Sequence, residues 1–434
     1  MERDGSVKGN MERKHPRGIW NLFVIEMWER FGFYIMSAVY VLYMEKDLHF
    51  DDAKKGVLYG LFLFASYTFP LLGGWLGDKI MGQLRTIRLG ASMMALGYVA
   101  MALSSLDRIV LFYIGLALIA SGTGIFKVNM SVLVGNLYRN KPELKDAGFN
   151  IYYMGVNVGA TIGPAVATVI GVLFEDYHIS FWAAAVGMVL ALIIMQLGQK
   201  NLRKVDTSQS AELREQNDAE FIESKEFWQR IVTLCALFFI AALFWIPFYQ
   251  NGLGLTLFAD RSTVAYKFLR PETYLIFGAL FIVLLTPPLL AIFGWLRKRD
   301  REPSTPVKIF LGLLIMGFAM FIMVVASWMG GNSDTAIMSP MWLVSCYFFV
   351  TIAEILISPM GQSYVSKVAP PRIQGLMMGG WFASTALGSL SSGIFGSFYS
   401  KMSHDQYFML LSGLSVFAAI LVLLFMKYLR RFGN

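Results

Sequence analysis

Long apolar segments recur along most of the chain and are separated by short polar segments. A helix needs about 18 or more apolar residues to cross the hydrocarbon core of a membrane, and these segments reach that length. A transmembrane β-barrel is excluded because the apolar residues are continuous rather than alternating. The pattern predicts twelve transmembrane helices, at residues 19–44, 56–79, 86–105, 107–138, 146–174, 180–199, 229–255, 272–296, 307–330, 339–367, 373–400 and 405–429.

The composition is that of a membrane protein. The chain has 434 residues, of which 56% are hydrophobic and 15% are charged. Its mean hydropathy is +0.55, and soluble domains carry about 25% charged residues. No short apolar segment with a small-residue cleavage site precedes the first predicted helix, so we expect no removable signal peptide.

The longest polar segment, residues 200–228, divides the helices into two sets of six. We therefore predict a first six-helix bundle at 1–199, a solvated cytoplasmic linker at 200–228, and a second bundle at 229–434. Lys and Arg concentrate at both termini and in the loops after even-numbered helices, such as the loop that contains Arg297 and Arg301. By the positive-inside rule both termini are cytoplasmic, and the +8 net charge indicates sidedness rather than nucleic-acid binding. The arrangement predicts an all-α major-facilitator architecture with its substrate site near the membrane midplane.

Charged residues occur at membrane depth in the first half of the chain. Glu26, Glu29 and Arg30 lie in the first predicted helix, and Lys127 lies in the fourth. A charge at that depth costs about 2.5–3.5 kcal/mol on insertion scales, so such residues usually have a function. Glu26 and Arg30 are four residues apart and Glu29 lies on the same face, which predicts a helical ion pair on an inward-facing surface. A structural network that only holds helices together is the alternative.

Glu354 is the corresponding charge in the second half, and it has no cation at similar depth in that half. It is either a neutral acid hydrogen-bonded to a neighbouring helix, or it is neutralised by a cation from the substrate or the first half. The first half thus offers cations to a carboxylate, and the second offers an anion to an amine. A zwitterion would satisfy both.

Glycine and proline interrupt several predicted helices. Glycine occurs at every fourth position over 155–163, so another helix can approach closely there. Pro287 and Pro288 are expected to break predicted helix 8, and Pro359 is a second candidate bending point. The sequence contains no nucleophile motif and no Cys/His cluster, so we expect neither an enzyme nor a metal site.

Several segments, in order along nearly the whole chain, resemble signatures of the proton-coupled oligopeptide transporter (POT/PTR) family of the major facilitator superfamily. Phe244, Trp245 and Gln250 are similar to its helix 7. The other segments are 26–34 (EMWERFGFY), 73–82 (GGWLGDKIMG), 125–129 (IFKVN), 152–159 (YYMGVNVG) and 354–361 (EILISPMG).

The resemblance implies a symporter that imports di- or tripeptides, or similar small zwitterions, by alternating access. The proton gradient drives it and no cofactor is needed. In this family pattern Arg30 and Lys127 bind the peptide carboxylate, Glu26 and Glu29 hold the proton-sensitive network, and Glu354 binds the peptide amine. The other implied substrate-binding residues are Tyr34, Tyr67, Asn157, Trp245 and Ser358. The implied gating residues are Gly74, Asp78, Pro287 and Pro359.

The chain departs from the family pattern at a few positions. It has Ser37 where many members carry Arg, and Phe248 and Tyr249 where they carry acidic residues. An ion pair between these positions, which would close the extracellular side, is therefore expected to be absent. Gly278 stands where relatives often have Asn.

Two other functions remain open. Aromatic residues in place of helix 7 carboxylates would suit a carrier or exporter of another organic anion or peptide-like metabolite. A nutrient receptor with this fold would be expected to carry a signalling extension, and the polar tails outside the predicted helices are short. We expect a monomer in contact with membrane lipid, in the plasma membrane of a bacterium.

Overall fold

The computed structural model describes residues 15–141, 144–203, 206, 224–370 and 373–433. The prediction of twelve long helices is confirmed within these residues. Their bounds are α1 Gly18–Lys46, α2 Asp52–Leu76, α3 Gln83–Ala102, α4 Ile109–Leu137, α5 Lys145–Phe174, α6 Tyr177–Leu197, α7 Ser224–Phe248, α8 Leu275–Arg297, α9 Thr305–Met329, α10 Pro340–Val368, α11 Gln374–Gly396 and α12 His404–Gly433.

Nine of these helices, counted over the described residues, are long and apolar enough to cross a membrane. The other three are α1, α3 and α11. α1 contains the charged residues Glu26, Glu29 and Arg30 within its length. The weaker apolar signal of α1 is therefore tied to its candidate chemistry.

Proline lies in the first turn of two helices of the second half. Pro340 is the first residue of α10, and the Ser339 hydroxyl accepts a hydrogen bond from Met341 N at 3.3 Å. Pro306 lies in the first turn of α9. Proline fits there because its missing N–H has no partner in the first turn of a helix.

Two predicted helices contain a change of helix type. α2 ends at Leu76 and is followed by a π-helical turn, Gly77–Met81. Gly82 then adopts φ +78°, a conformation that favours glycine, before α3 begins. α7 ends at Phe248, earlier than the predicted end at 255. A 3₁₀ turn over Tyr249–Gly252 and a short helix over Gly254–Arg261 follow it.

The prolines inside helices do not end them. α8 continues through Pro287 and Pro288, so the prediction that they break this helix is wrong. α10 likewise continues through Pro359. In a transmembrane helix, adjustments of the surrounding backbone can satisfy the carbonyl groups that proline frees. A hinge role for Pro287 and Pro359 stays a prediction.

The chain divides into two compact units. The first comprises Met1–Met36, Phe69–Gly163 and His178–Leu213, as far as these ranges are described. Within it α3 packs along α4 with backbone contact: a Cβ added at Gly90 would lie 2.7 Å from Gly122 O.

The second unit comprises Ser37–Thr68, Pro164–Tyr177 and Arg214–Asn434, again where described. Within it α9 packs on α10 and α12, and α7 packs on α11. The unit therefore includes the later part of α1, much of α2 and the end of α5. The predicted domain boundaries at 199 and 229 stay a prediction, and most of the predicted linker lies outside the described residues.

Candidate functional site

Glu26, Glu29 and Arg30, here called the inner ionic cluster, lie on α1 in the first unit. Their exposed fractions are 1%, 0% and 6%, respectively. The prediction that this face of the helix lies inside the protein is confirmed. Burial removes the charges from water, so each needs a partner.

Arg30 supplies that partner to both carboxylates. Its Nη2 donates to Glu29 Oε1 at 2.6 Å, and its Nε donates to Glu29 Oε2. The same Nε lies 3.5 Å from Glu26 Oε1, so the predicted four-residue ion pair is confirmed. The closer partner is nevertheless the adjacent Glu29, which helical spacing does not predict. Two parallel hydrogen bonds make the Arg30–Glu29 pair the stronger of the two.

Tyr152 of α5 adds a third contact to this cluster, because its hydroxyl hydrogen-bonds the Glu26 carboxylate. The sequence analysis placed Tyr152 in a family signature but gave it no role. The sequence did offer a signal: Tyr152 lies in a predicted transmembrane helix, and a buried tyrosine hydroxyl usually has a polar partner. Glu26 is thus held between a cation of its own helix and a hydroxyl of α5.

The glycines of α5 bring that helix against α1. Added Cβ atoms at Gly155 and Gly159 would lie 2.7 Å from Phe23 O and 2.4 Å from Met27 O, respectively. A Cβ at Gly163 would lie 2.8 Å from Ile35 N. The predicted close approach of another helix is therefore confirmed, and the partner is α1. Because Gly159 also faces the Arg30 Cβ at 2.7 Å, this packing helps to fix the position of the inner ionic cluster.

Lys127, Asn157 and Tyr34 also lie in the first unit. The Lys127 side chain is exposed on α4, and its charge interacts with Glu26. Asn157 Nδ2 donates to Tyr153 O of its own helix at 2.9 Å. Tyr34 is half-buried beside the Phe33 ring, with the two ring centroids 5.6 Å apart. Electrostatic interactions link Lys127 to Glu26 and Tyr34 to Arg30 of the inner ionic cluster.

The turn after α2 is anchored by Asn129 of α4. Its Nδ2 donates to Gly73 O at 2.8 Å, and its side chain occupies the space where a Gly77 Cβ would stand. Asp78 Oδ1 accepts a hydrogen bond from Gln83 Nε2 at 3.3 Å across the turn. A Cβ at Gly74 would meet only Val128 Cγ2, at 3.9 Å, so close packing does not require glycine there. Asn129 is an anchor that the sequence analysis missed, although it lies in the quoted segment 125–129.

An aromatic group, Tyr67, Trp245, Phe248 and Tyr249, lies in the second unit. The Trp245 and Tyr249 rings stack with centroids 5.6 Å apart, and Trp245 meets Phe248 edge-on at 5.0 Å. Tyr67 of α2 lies 5.9 Å from Tyr249. Phe248 and Tyr249, where the resemblance implied acidic residues, therefore belong to one packed aromatic group.

Glu354 of α10 lies in the same unit and is half-buried. Among the described residues, no ion pair or hydrogen bond to its carboxylate is found. Its charge interacts with Tyr249 of the aromatic group. Ser358, four residues later on α10, is also half-buried. A role for Glu354 and Ser358 in substrate binding stays a prediction.

Gln250 fixes the point where α7 ends. Its Nε2 donates to Ser392 O and Oγ, each at 2.9 Å, and its Oε1 accepts from Tyr407 Oη at 2.6 Å and from Gly254 N at 3.1 Å. The amide is fully buried and bonds to α11, α12 and the short helix after α7. Its role is positional, which the sequence analysis did not predict because Gln250 fell inside a predicted continuous helix.

Comparison with known proteins gives concordant results. Residues 22–338 match the Major Facilitator Superfamily. The uncharacterized transporter YclF of Bacillus subtilis (strain 168) is 29% identical over 476 residues, spanning 96% of this chain and 95% of that protein. Dipeptide and tripeptide permease A of Edwardsiella piscicida is 30% identical over 428 residues, spanning 88% of this chain and 85% of that one.

A solved structure agrees with the sequence relatives. The crystal structure of a peptide transporter POT in complex with sulfate is 26% identical, covers 97% of this chain and 96% of its own, and gives a TM-score of 0.87. The chain therefore belongs to the major facilitator superfamily and, within it, to the proton-coupled oligopeptide transporter family, and it is a membrane transporter rather than an enzyme.

Proposed function

We propose that the chain is a proton-driven symporter that imports di- or tripeptides by alternating access. The observation that carries the proposal is the difference between the two units: Arg30 and Lys127 supply cations in one, and Glu354, for which no ion pair is found among the described residues, supplies an acid in the other. A peptide brings the complementary pair, a carboxylate and an amine. The permease of Edwardsiella piscicida, whose name gives dipeptides and tripeptides as its substrates, supports this substrate class.

The inner ionic cluster supplies the coupling in this proposal. While both carboxylates are charged, Arg30 is held by Glu29 and Glu26. Adding a proton to one of them weakens that hold and frees the guanidinium for the substrate carboxylate. Losing the proton restores the pair and expels the carboxylate. The cluster can therefore couple the movement of a proton to that of a peptide.

The membrane potential provides enough free energy per proton to accumulate a peptide. One proton is worth about 2.3 kcal/mol per 100 mV of membrane potential. Since about 1.4 kcal/mol corresponds to tenfold in an equilibrium, one proton can concentrate a neutral zwitterion more than tenfold. No cofactor is needed.

The test is uptake of labelled dialanine into proteoliposomes under an imposed pH gradient. The parent protein is expected to accumulate the peptide, whereas Lys127→Ala and Glu29→Gln are expected to lose uphill uptake. Glu302→Gln, which removes a carboxylate from the loop between α8 and α9, is the matched control and should accumulate peptide normally. Full accumulation by Lys127→Ala or Glu29→Gln would remove the proposed coupling.

The proposed role of Glu354 has its own test. Glu354→Gln should weaken competition by dialanine but not by its N-acetylated form, because only the free amine can pair with the carboxylate. An equal loss for both peptides would contradict amine recognition by Glu354.

A second candidate is favoured by the aromatic group. Aromatic rings at Phe248 and Tyr249, where the family pattern implies acidic residues, would suit a larger organic anion or an apolar peptide-like metabolite. Thermal stabilisation by a panel of peptides and organic anions separates the two functions. Stabilisation by an apolar anion together with failure of every peptide would favour this second candidate.

We further propose that both termini face the cytoplasm of a bacterial cell, supported by the Lys and Arg bias. We also propose that the protein is a monomer surrounded by membrane lipid. A reporter fused to the C-terminus tests the orientation, and a periplasmic signal would contradict it.

A further inference from the structure

Two buried tyrosines of neighbouring helices lie beside the inner ionic cluster, and their hydroxyl groups differ. The Tyr152 hydroxyl of α5 hydrogen-bonds the Glu26 carboxylate. Tyr98 of α3 is 0% exposed, and its hydroxyl has no hydrogen-bond partner among the residues that the structure describes. Both tyrosines belong to the first unit, as the cluster does. The hydroxyl of Tyr98 therefore needs an explanation that the hydroxyl of Tyr152 does not.

The Tyr98 hydroxyl is costly in the state that the structure shows. Burying a hydroxyl without a partner costs free energy, and phenylalanine would fill the same space without that cost. Nearly all buried polar groups in folded proteins are hydrogen-bonded, so an exception calls for a reason. A partner that becomes available in another state of the transport cycle is such a reason.

Packing places the end of the Tyr98 ring against α1. A Cβ added at Gly32 would lie 3.2 Å from Tyr98 Cε2 and 3.5 Å from Tyr98 Cζ, the atom that carries the hydroxyl. The preceding residue, Gly97, holds α3 against α4, because a Cβ there would lie 2.9 Å from Gly115 O. Gly32 follows Glu29 by three residues, so the two share a face of the helix. The Tyr98 ring thus meets α1 on the face that carries Glu29.

The charges of the inner ionic cluster also act on Tyr98. The Glu29 charge acts on the hydroxyl more strongly than the Arg30 charge does. On the other side of this face, α6 contributes a backbone carbonyl, since Ala184 O would lie 3.3 Å from a Cβ at Gly32. The remaining titratable or charged groups that interact with the cluster come from α1, α4 and α5, and they are Glu26, Tyr34, Lys127 and Tyr152.

A proton on Glu29 changes which hydrogen bonds its carboxyl group can make. In the structure both of its oxygens accept from Arg30. A protonated oxygen becomes an O–H donor, and Arg30 has no acceptor to offer it. The Glu26 carboxylate and the Tyr98 hydroxyl oxygen both interact with Glu29 and can accept. Glu26 already bonds Tyr152 and pairs with Arg30, whereas Tyr98 has no partner in the described part of the chain.

We propose that Tyr98 is a positioning residue of proton coupling, whose hydroxyl oxygen accepts a hydrogen bond from Glu29 when Glu29 carries the transported proton. The proton joins one Glu29 oxygen, the hydrogen bond from Arg30 to that oxygen breaks, and the new O–H donates to Tyr98. Loss of the proton reverses these changes, and Tyr98 keeps its own proton throughout. The inference rests on the proposed coupling at the inner ionic cluster. It gives the neutral carboxyl a partner that leaves Arg30 available to the substrate.

The first test is the pH profile of Tyr98→Phe, which removes the hydroxyl and keeps the ring. The measurement is exchange of labelled for unlabelled dialanine in proteoliposomes, with equal pH on both sides of the membrane. A hydrogen bond to the protonated form favours protonation, so without it a higher proton concentration is needed. The pH of half-maximal exchange should therefore move about 0.5–1 pH unit towards acid, as expected for the loss of one hydrogen bond.

Tyr274→Phe is the matched control. Tyr274 is 2% exposed and belongs to the second unit, and its hydroxyl likewise has no partner among the described residues. The substitution thus removes the same kind of buried hydroxyl away from the inner ionic cluster. Its pH profile should match that of the parent protein, and a shift equal to that of Tyr98→Phe would overturn the role of Tyr98.

The second test measures stability and needs no peptide. Glu29→Gln places a neutral amide, with a donor and an acceptor, where the protonated carboxyl would be. In the parent protein, Tyr98→Phe should leave the unfolding temperature unchanged or slightly raised, because the hydroxyl has no partner to lose. In the Glu29→Gln protein, the same substitution should lower it by about 1–3 °C, because a hydrogen bond from the amide is lost. Tyr274→Phe should have the same effect in both proteins.

Two further outcomes would overturn the role of Tyr98. One is a pH profile of Tyr98→Phe that is unchanged, as expected if Glu26 receives the hydrogen bond, or that moves towards alkaline pH. The other is an equal effect of Tyr98→Phe on the unfolding temperature of the parent and Glu29→Gln proteins. A protein that exchanges no peptide but shows the difference in stability refutes the proposed substrate alone. Peptide accumulation without either effect refutes the role of Tyr98 alone.

Discussion

The inner ionic cluster and a second group of charges share helix α1 but draw their partners from different places. The second group, here called the outer ionic cluster, consists of Glu45, Lys46, Asp52, Lys55, Asp260 and Arg261. Arg30 binds Glu29 and Glu26 of its own helix. Glu45, near the end of the same helix, binds Lys55 of α2 and Arg261 from beyond α7. A network within one helix keeps its geometry when neighbouring helices move, so it can respond to a proton or a ligand. A network across several helices breaks when they part, so it resists that movement.

The largest expected effect tests the local cluster. Arg30→Met leaves two buried carboxylates without their cation, which should destabilise the protein by about 3–5 kcal/mol. Adding Glu26→Gln and Glu29→Gln to the same chain removes the uncompensated charge, so most of the stability should return. Thermal unfolding of the purified proteins, followed by tryptophan fluorescence, measures both changes. If the triple variant is as unstable as the single one, the loss does not come from the unpaired carboxylates.

The next effect tests what positions that cluster. Gly159→Ala places a methyl group against Met27 O and the Arg30 Cβ. Forcing atoms into such a contact typically costs about 1–3 kcal/mol, so a lower unfolding temperature is expected. Gly135→Ala is the control, because a Cβ at Gly135 of α4 has no atom within 4 Å. It should be neutral or slightly stabilising, and an equal loss in both variants would show that the α1–α5 contact is not the cause.

The same comparison explains what the sequence could predict. The spacing of Glu26 and Arg30 predicts their pair because helical geometry fixes the distance between residues four apart. The glycines over 155–163 predict a close helix contact for a similar reason, since they share one face of α5. The helices, the buried face of α1 and part of the inner ionic cluster were thus predictable from local helix geometry.

Long-range contacts were not predictable in this way. Arg261 and Asp52 are 209 positions apart, and both lie near helix ends, where charged residues are common. No periodicity relates them. Gln250 was missed because an apolar pattern cannot show that a helix ends at Phe248 and that the next turn needs a side chain to hold it. The outer ionic cluster and this anchor became visible only from the folded structure.

Ionic strength should separate the two clusters with a moderate effect. Arg261 and Glu45 are partly exposed, at 16% and 22% of their side chains. Raising the salt concentration from 0.01 M to 1 M shortens the Debye length from about 30 Å to about 3 Å, which weakens such pairs more than buried ones. Arg261→Ala should therefore lower the unfolding temperature less at high salt than at low salt, because exposed pairs worth up to about 1 kcal/mol each are already weakened there. The destabilisation by Arg30→Met should not change with salt. An equal salt dependence of the two variants would show that exposure does not distinguish the two clusters.

Glu302 offers a third case, local like the inner ionic cluster but at the surface, and it should give the smallest effect. It accepts from Lys308 Nζ at 2.6 Å and Arg297 Nε at 2.5 Å, and these hydrogen bonds lower its pKa from 4.5 to about 2. A lowered pKa stabilises the folded state above 4.5, and that stabilisation fades as the pH falls towards 2. Glu302→Gln should cost about 0.2–1 kcal/mol at pH 7, as for other surface pairs. The difference in stability from the parent should shrink on acidification, with peptide uptake unchanged. A difference that grows on acidification would contradict the lowered pKa of Glu302 as its cause.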